Sequence, residues 1–82
     1  MITPQQIRGA RAMLGITQAA LAKLAGISTT GLNNIEAGSD SKISTIAAIK
    51  AALEKAGIAF LDPNDGGPGV RLVKPKGNRK AK

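Results

Sequence analysis

The chain of 82 residues contains no cysteine, histidine, tyrosine or tryptophan, and one phenylalanine. Without cysteine it can build neither a disulfide framework nor a thiolate metal site. Without cysteine and histidine it also lacks a thiolate nucleophile and the side chain that exchanges protons near neutral pH. An enzyme is therefore not expected, and no cofactor is required. No apolar run approaches the ~20 residues that cross a bilayer. The opening Met1-Ile2-Thr3-Pro4-Gln5-Gln6 lacks the basic start and apolar core of a signal peptide. The expectation is a cytoplasmic protein that does not engage a membrane.

Negative charge is scarce, with five Asp and Glu against twelve Lys and Arg and a formal net charge of +7. A polyanionic partner is favoured, both by Coulomb attraction and by release of its counterions. The basic residues are densest at the end, where residues 57–82 carry six against two acidic groups. The length suits one domain, and so small a domain buries a limited share of its surface, so that a homodimer would add stability.

Helix punctuation is regular. Thr3, Pro4 and Gln6 form a helix start in which Thr3 caps, proline presets φ and Gln6 completes a capping box. The first helix runs to about Leu14, and Ile7, Ala10, Arg11 and Leu14 share one stripe. Arg11 on that stripe needs a partner. Gly15 ends this helix, and Thr17 caps a second over 18–25 whose inner face is expected to hold Leu21, Leu24 and Ala25. Gly26 permits a sharp turn before Ser28 caps a third helix over 29–37.

On that third helix Leu32 and Ile35 define the inner face, while Thr30, Asn33, Asn34 and Ala37 point outward. Glu36 lies near the inner face, where an ion pair with Arg11 is expected. After a polar loop, Ser44 is expected to cap a fourth helix through Ala56, with Ile46, Ile49, Leu53 and Ala56 spaced for burial. Gly57 ends it.

The periodicity then changes. Ile58-Ala59-Phe60-Leu61 and Val70-Arg71-Leu72-Val73 read as strands of a β-hairpin with a long turn. Its glycines match no nucleotide-binding spacing and are explained by the turn. The hairpin either packs on helix four or pairs with a second subunit, because exposed strand edges invite pairing. Beyond Val73 nothing large and apolar offsets the cost of ordering, so residues 74–82, with five basic groups, are expected to be a flexible tail. The expected organisation is a helical domain over 1–57, a hairpin and dimerisation element over 58–73, and this tail.

Two capped helices joined by a glycine turn have helix-turn-helix spacing, with small Ala22 letting the helices approach. The run Leu14-Gly15-Ile16-Thr17-Gln18-Ala19-Ala20-Leu21-Ala22, with Gly26-Ile27-Ser28 and Ile35-Glu36-Ala37-Gly38, resembles the phage-repressor or Cro-like helix-turn-helix proteins, the XRE family. The resemblance covers about residues 5–56. It implies a mainly α, lambda-repressor-like domain that binds double-stranded DNA as a homodimer, most often as a transcriptional repressor of a bacterium or phage. It further implies that Gln18 contacts a phosphate, that Thr29, Thr30 and Asn34 approach base edges, and that Arg11 and Glu36 form a structural pair.

Elementary chemistry agrees. A helix start offers unpaired N–H groups to phosphate, and the Thr17 hydroxyl can assist. Asparagine matches adenine N6 and N7, and threonine can meet a base edge or a thymine methyl. Asn33 joins the candidate set on geometry. Such recognition helices commonly carry Arg, Lys or Gln outward, whereas this one has short side chains and Gly31. Arg8, Lys23, Lys42 and the tail are then the candidates for phosphate contact. The alternative reading is a protein-interaction module, or the antitoxin of a toxin-antitoxin pair with the toxin as its partner.

Overall fold

A computed structural model of the protein describes residues 2–61 and 68–73. It contains α1 (Pro4–Leu14), α2 (Gln18–Ala25), α3 (Thr29–Glu36) and α4 (Ile43–Lys55), followed by β1 (Ile58–Leu61) and β2 (Gly69–Leu72). The long turn over 62–67 and the tail over 74–82 lie outside the described residues.

Three helices start as their sequence predicts. At α1, Gln6 N donates to Thr3 Oγ1 at 3.1 Å and Thr3 N donates to Gln6 Oε1 at 2.8 Å, the reciprocal capping box. Thr17 Oγ1 accepts from Ala20 N at 3.0 Å, and Ser28 Oγ accepts from Gly31 N at 2.9 Å. The fourth start differs from expectation. Lys42, not Ser44, occupies the cap position, and it makes no side-chain cap bond. Its carbonyl already accepts from Thr45 N and Ile46 N, so Ser44 lies inside the first turn. Helix α3 ends one residue early, with Ala37 as its C-cap.

The turn between α2 and α3 depends on Gly26, whose φ of 75° is open to glycine at little steric cost. Its N–H bonds back to Ala22 O and Lys23 O, and Ile27 N closes onto Ala22 O at 3.0 Å. The reversal leaves only Gly26, Ile27 and Ser28 between the two helices.

The core is formed by Ile7 and Ala10 of α1, Leu21 and Ala22 of α2, Leu32 and Ile35 of α3, Ile49 and Leu53 of α4, and Ile58 of β1. Leu24 departs from the expected inner face and is 61% exposed. The reason is angular. Leu21, Ala22 and Ala25 lie at 0°, about 100° and about 40° around the helix, while Leu24 falls about 60° to the other side of Leu21. Burial of Ala22 turns α2 so that Leu24 faces outward.

The strands pair antiparallel, with Ile58 opposite Leu72 and Phe60 opposite Val70 on one face. Strand β2 starts at Gly69, one residue earlier than expected, because Gly69 pairs with Leu61. The hairpin packs on two helices rather than on helix four alone, with β1 against α4 and β2 against α1. Gln6 Nε2 donates to Gly69 O at 2.9 Å. At Gly9 a Cβ would stand 3.4 Å from Val70 Cγ2, so the strand lies directly on the helix.

Candidate nucleic-acid interface

Burial of Leu32 and Ile35 orients α3 so that Thr29, Thr30, Asn33 and Asn34 are all exposed. Thr29 and Asn33 are four residues apart, as are Thr30 and Asn34, so two adjacent rows make one continuous polar patch of hydroxyls and amides. Beside it opens a shallow cleft lined by Ile27, Gly31, Asn34, Ser39, Asp40 and Lys42 among others. Gly31 keeps this flank of the helix low. Its N–H carries the Ser28 cap bond, and an added Cβ would stand 3.0 Å from Ser28 Oγ.

The far end of α3 is held by a buried carboxylate. Glu36 is 3% exposed and Arg11 22% exposed in their side chains. Arg11 Nε donates to Glu36 Oε2 at 2.8 Å, and Nη2 donates to Oε1 at 2.9 Å. The expected ion pair is therefore present, in the bidentate geometry that suits guanidinium and carboxylate. Arg11 Nη1 also donates to Ile16 O at 3.3 Å, tying in the turn that precedes α2. Burial pushes the Glu36 carboxyl up. Hydrogen bonds from Arg11 and Gln18 and the charges of Arg11 and Arg8 outweigh it, and the pKa is held below the usual carboxylate value. The hydrogen bond to Glu36 in turn raises the Arg11 guanidinium.

Two contacts of this cluster have no counterpart in the sequence reading. Gln18 Nε2 donates to Glu36 Oε1 at 3.1 Å, linking the start of α2 to the end of α3. Arg8 Nη1 donates to the backbone carbonyl of Glu36. A cation thus faces the carbonyl end of α3, favourable for the helix dipole, although α3 has no basic residue in its own last turn. No spacing along the chain announces either bond, because the partners are 18 and 28 residues apart.

Thr17 and Gln18 lie apart from the α3 patch, at the start of α2. Thr17 is exposed and Gln18 half-buried. Ala20 N is taken by Thr17 Oγ1 and Leu21 N by Thr17 O, which leaves the Gln18 and Ala19 N–H groups as the first-turn donors facing outward. The Thr17 hydroxyl accepts from Ala20 and keeps its own proton to donate. Gln18 uses one amide hydrogen on Glu36 and retains the other. Of the candidate phosphate-binding cations, Lys23 and Lys42 are exposed, while Arg8 is directed in part to α3.

Two helices in tight succession, the second presenting a polar face and packed through Leu32 and Ile35, define a helix-turn-helix domain. Residues 7–58 match the Helix-turn-helix family, and the chain belongs to it, within the XRE group. That family is one of DNA-binding regulators, so the protein is a DNA-binding helix-turn-helix regulator. Comparison with curated proteins gives no match. Among the described residues no helix is long and apolar enough to cross a membrane.

Proposed function

We propose that the protein is a sequence-specific transcriptional repressor that binds double-stranded DNA as a homodimer, with α3 in the major groove. The observation that carries this reading is the continuous exposed patch of Thr29, Thr30, Asn33 and Asn34 on a helix fixed at both ends, by Ser28 at its start and by Glu36 at its finish. These four side chains read base edges. Thr17 and Gln18 hold a phosphate at the start of α2, where first-turn N–H groups and the helix dipole favour an anion.

All four reading side chains are short, so the helix must sit deep in the groove. Gly31 and the low flank beside Asn34 allow that approach. Lys23 and Lys42 add sequence-independent affinity through the phosphates. Residues 1–57 form the reading unit and 58–73 the element that supports dimerisation. The two-stranded sheet has unpaired outer edges among the described residues, which a second copy can extend.

Selection of bound duplexes from a random pool tests this. A two-fold symmetric consensus with half-sites about one helical turn apart is expected. Enrichment of a single asymmetric site would remove the homodimer. The absence of any enrichment would remove sequence-specific reading and favour a role in protein contact.

A further inference from the structure

The contact between Gln18 and Glu36 is not needed to satisfy the buried carboxylate. Arg11 already neutralises it and occupies both of its oxygens, Oε2 at 2.8 Å and Oε1 at 2.9 Å. Glu36 Oε1 nevertheless accepts a further hydrogen bond, from Gln18 Nε2 at 3.1 Å. A carboxylate oxygen has the lone pairs for two such bonds. What the additional bond does is immobilise a side chain at the start of α2 that would otherwise explore many rotamers in water.

It also decides which end of the amide faces inward. An ionised carboxylate only accepts, so the Gln18 NH2 group must turn toward Glu36. Its second hydrogen is then set in a fixed direction rather than exchanged, by a flip, for a carbonyl oxygen that would repel a phosphate. The anchor is rigid in its own right. Glu36 is 3% exposed, Arg11 is tied to Ile16 O, and Arg8 holds the Glu36 carbonyl. Through this one carboxylate the first residue of α2 and the last residue of α3 are joined.

We propose that Glu36 is a positioning residue for DNA binding: its carboxylate pre-orients the Gln18 amide for a backbone phosphate and fixes that contact relative to the base-reading patch of α3. The inference rests on the reading above that Gln18 meets a phosphate. Its consequence is preorganisation. The side-chain order that phosphate binding requires is already present in the free protein, and the distance from phosphate to base edges is set before DNA arrives.

A double-mutant cycle on the full chain tests it, with affinity measured for a mixed-sequence DNA duplex, because phosphate contacts do not depend on sequence. Affinities are corrected for the folded fraction of each variant, taken from urea curves. Gln18→Ala is expected to weaken binding about tenfold, the size of a hydrogen bond to a charged group. Glu36→Gln, similar in size but uncharged, is expected to weaken it several-fold in the wild-type background and not at all in the Gln18→Ala background. A loss from Glu36→Gln that persists unchanged without Gln18 would overturn the positioning role and leave the phosphate contact standing. No loss from Glu36→Gln while Gln18→Ala weakens binding would do the same. No loss from Gln18→Ala would instead remove the phosphate contact itself.

Side-chain amide relaxation in the free protein supplies a readout that needs no DNA and that a purely structural role would leave unmoved. The Gln18 NH2 group should be as rigid as the backbone and become mobile in the Glu36 variant, while exposed Gln5 stays mobile in both. Where Glu36→Gln does not fold, Glu36→Asp retains the charge but withdraws it by one methylene, and the same cycle applies. A Gln18 amide as mobile as that of Gln5 in the wild-type protein would overturn the proposal.

Discussion

The Arg11 guanidinium grips the Glu36 carboxylate through two parallel hydrogen bonds of 2.8 and 2.9 Å, and this pair joins the first helix to the end of the third. Removing one partner leaves the other charge partly buried and unmatched. Arg11→Ala and Glu36→Ala are each expected to lower stability by about 3 kcal/mol, and the double variant by much less than the sum. Urea denaturation of the three variants measures the coupling. Additive losses would show that the pair contributes little as a pair.

The same pair sets a response to acid. The folded-state pKa of Glu36 lies below its unfolded value, so its contribution is complete above the ordinary carboxylate range, about pH 4.3. It is lost as the pH falls through the lower, folded pKa. Stability of the wild-type protein should therefore decline on acidification below about pH 4, and Glu36→Gln should flatten that decline. Urea midpoints measured across this window give the comparison. Equal slopes in the two proteins would assign the acid response elsewhere.

Gly31 poses a question of sign. Replacing glycine by alanine inside a helix ordinarily gains about 1 kcal/mol. Here the new Cβ would stand 3.0 Å from the Ser28 hydroxyl that caps the helix. Gly31→Ala is expected to gain nothing in the wild-type background and about 1 kcal/mol when Ser28 is already alanine, a change that itself costs about 1 kcal/mol. Thermal melts of the four proteins in this cycle decide it.

Gln6 has two functions that one substitution separates. Its Oε1 completes the capping box with Thr3, and its Nε2 donates to Gly69 O at 2.9 Å. Gln6→Glu keeps the accepting oxygen and loses the donor, so α1 should remain capped while β2 is released. Hydrogen exchange at the hairpin amides is expected to quicken about tenfold, with that of α1 unchanged, for the loss of roughly one hydrogen bond.

For the reading face, Thr30→Ala with Asn34→Ala should reduce affinity for a selected duplex by tenfold or more, while binding to a scrambled duplex is unaffected. Lys42→Ala should instead weaken both duplexes alike and lower the salt slope by about 1. Competition titrations at several salt concentrations distinguish the two kinds of contact. Equal losses on both duplexes for the Thr30 and Asn34 pair would argue against base reading.

Much of this architecture is legible in the amino-acid sequence. The caps at Thr3, Thr17 and Ser28 and the turn at Gly26 operate over three or four residues, and such short-range chemistry is written directly in the chain. The pairing of Arg11 with Glu36 is legible too, because Arg11 lies on an otherwise apolar stripe and Glu36 close to the inner face of α3, where a charge demands an opposite one. The exposure of Leu24 is not legible in the sequence because α2 is only eight residues long. In so short a helix, two alternative apolar faces differ by a single alanine, and Ala22 decided between them. The cap at Lys42 instead of Ser44 has a related reason: a serine near a helix start does not say which residue the backbone will leave extended.

By itself, then, the sequence determined four helices with the caps of the first three, a following hairpin, a basic chain without cysteine or histidine, and the exposed Thr and Asn residues of α3. Only the tertiary structure decided what joins those parts. Gln6 reaches Gly69 across 63 residues, Arg8 reaches the Glu36 carbonyl across 28, and Gln18 reaches the Glu36 carboxylate across 18. Helix and cap signals depend on neighbours along the chain, whereas the partner of a long polar side chain depends on which elements packing brings within about 3 Å of it.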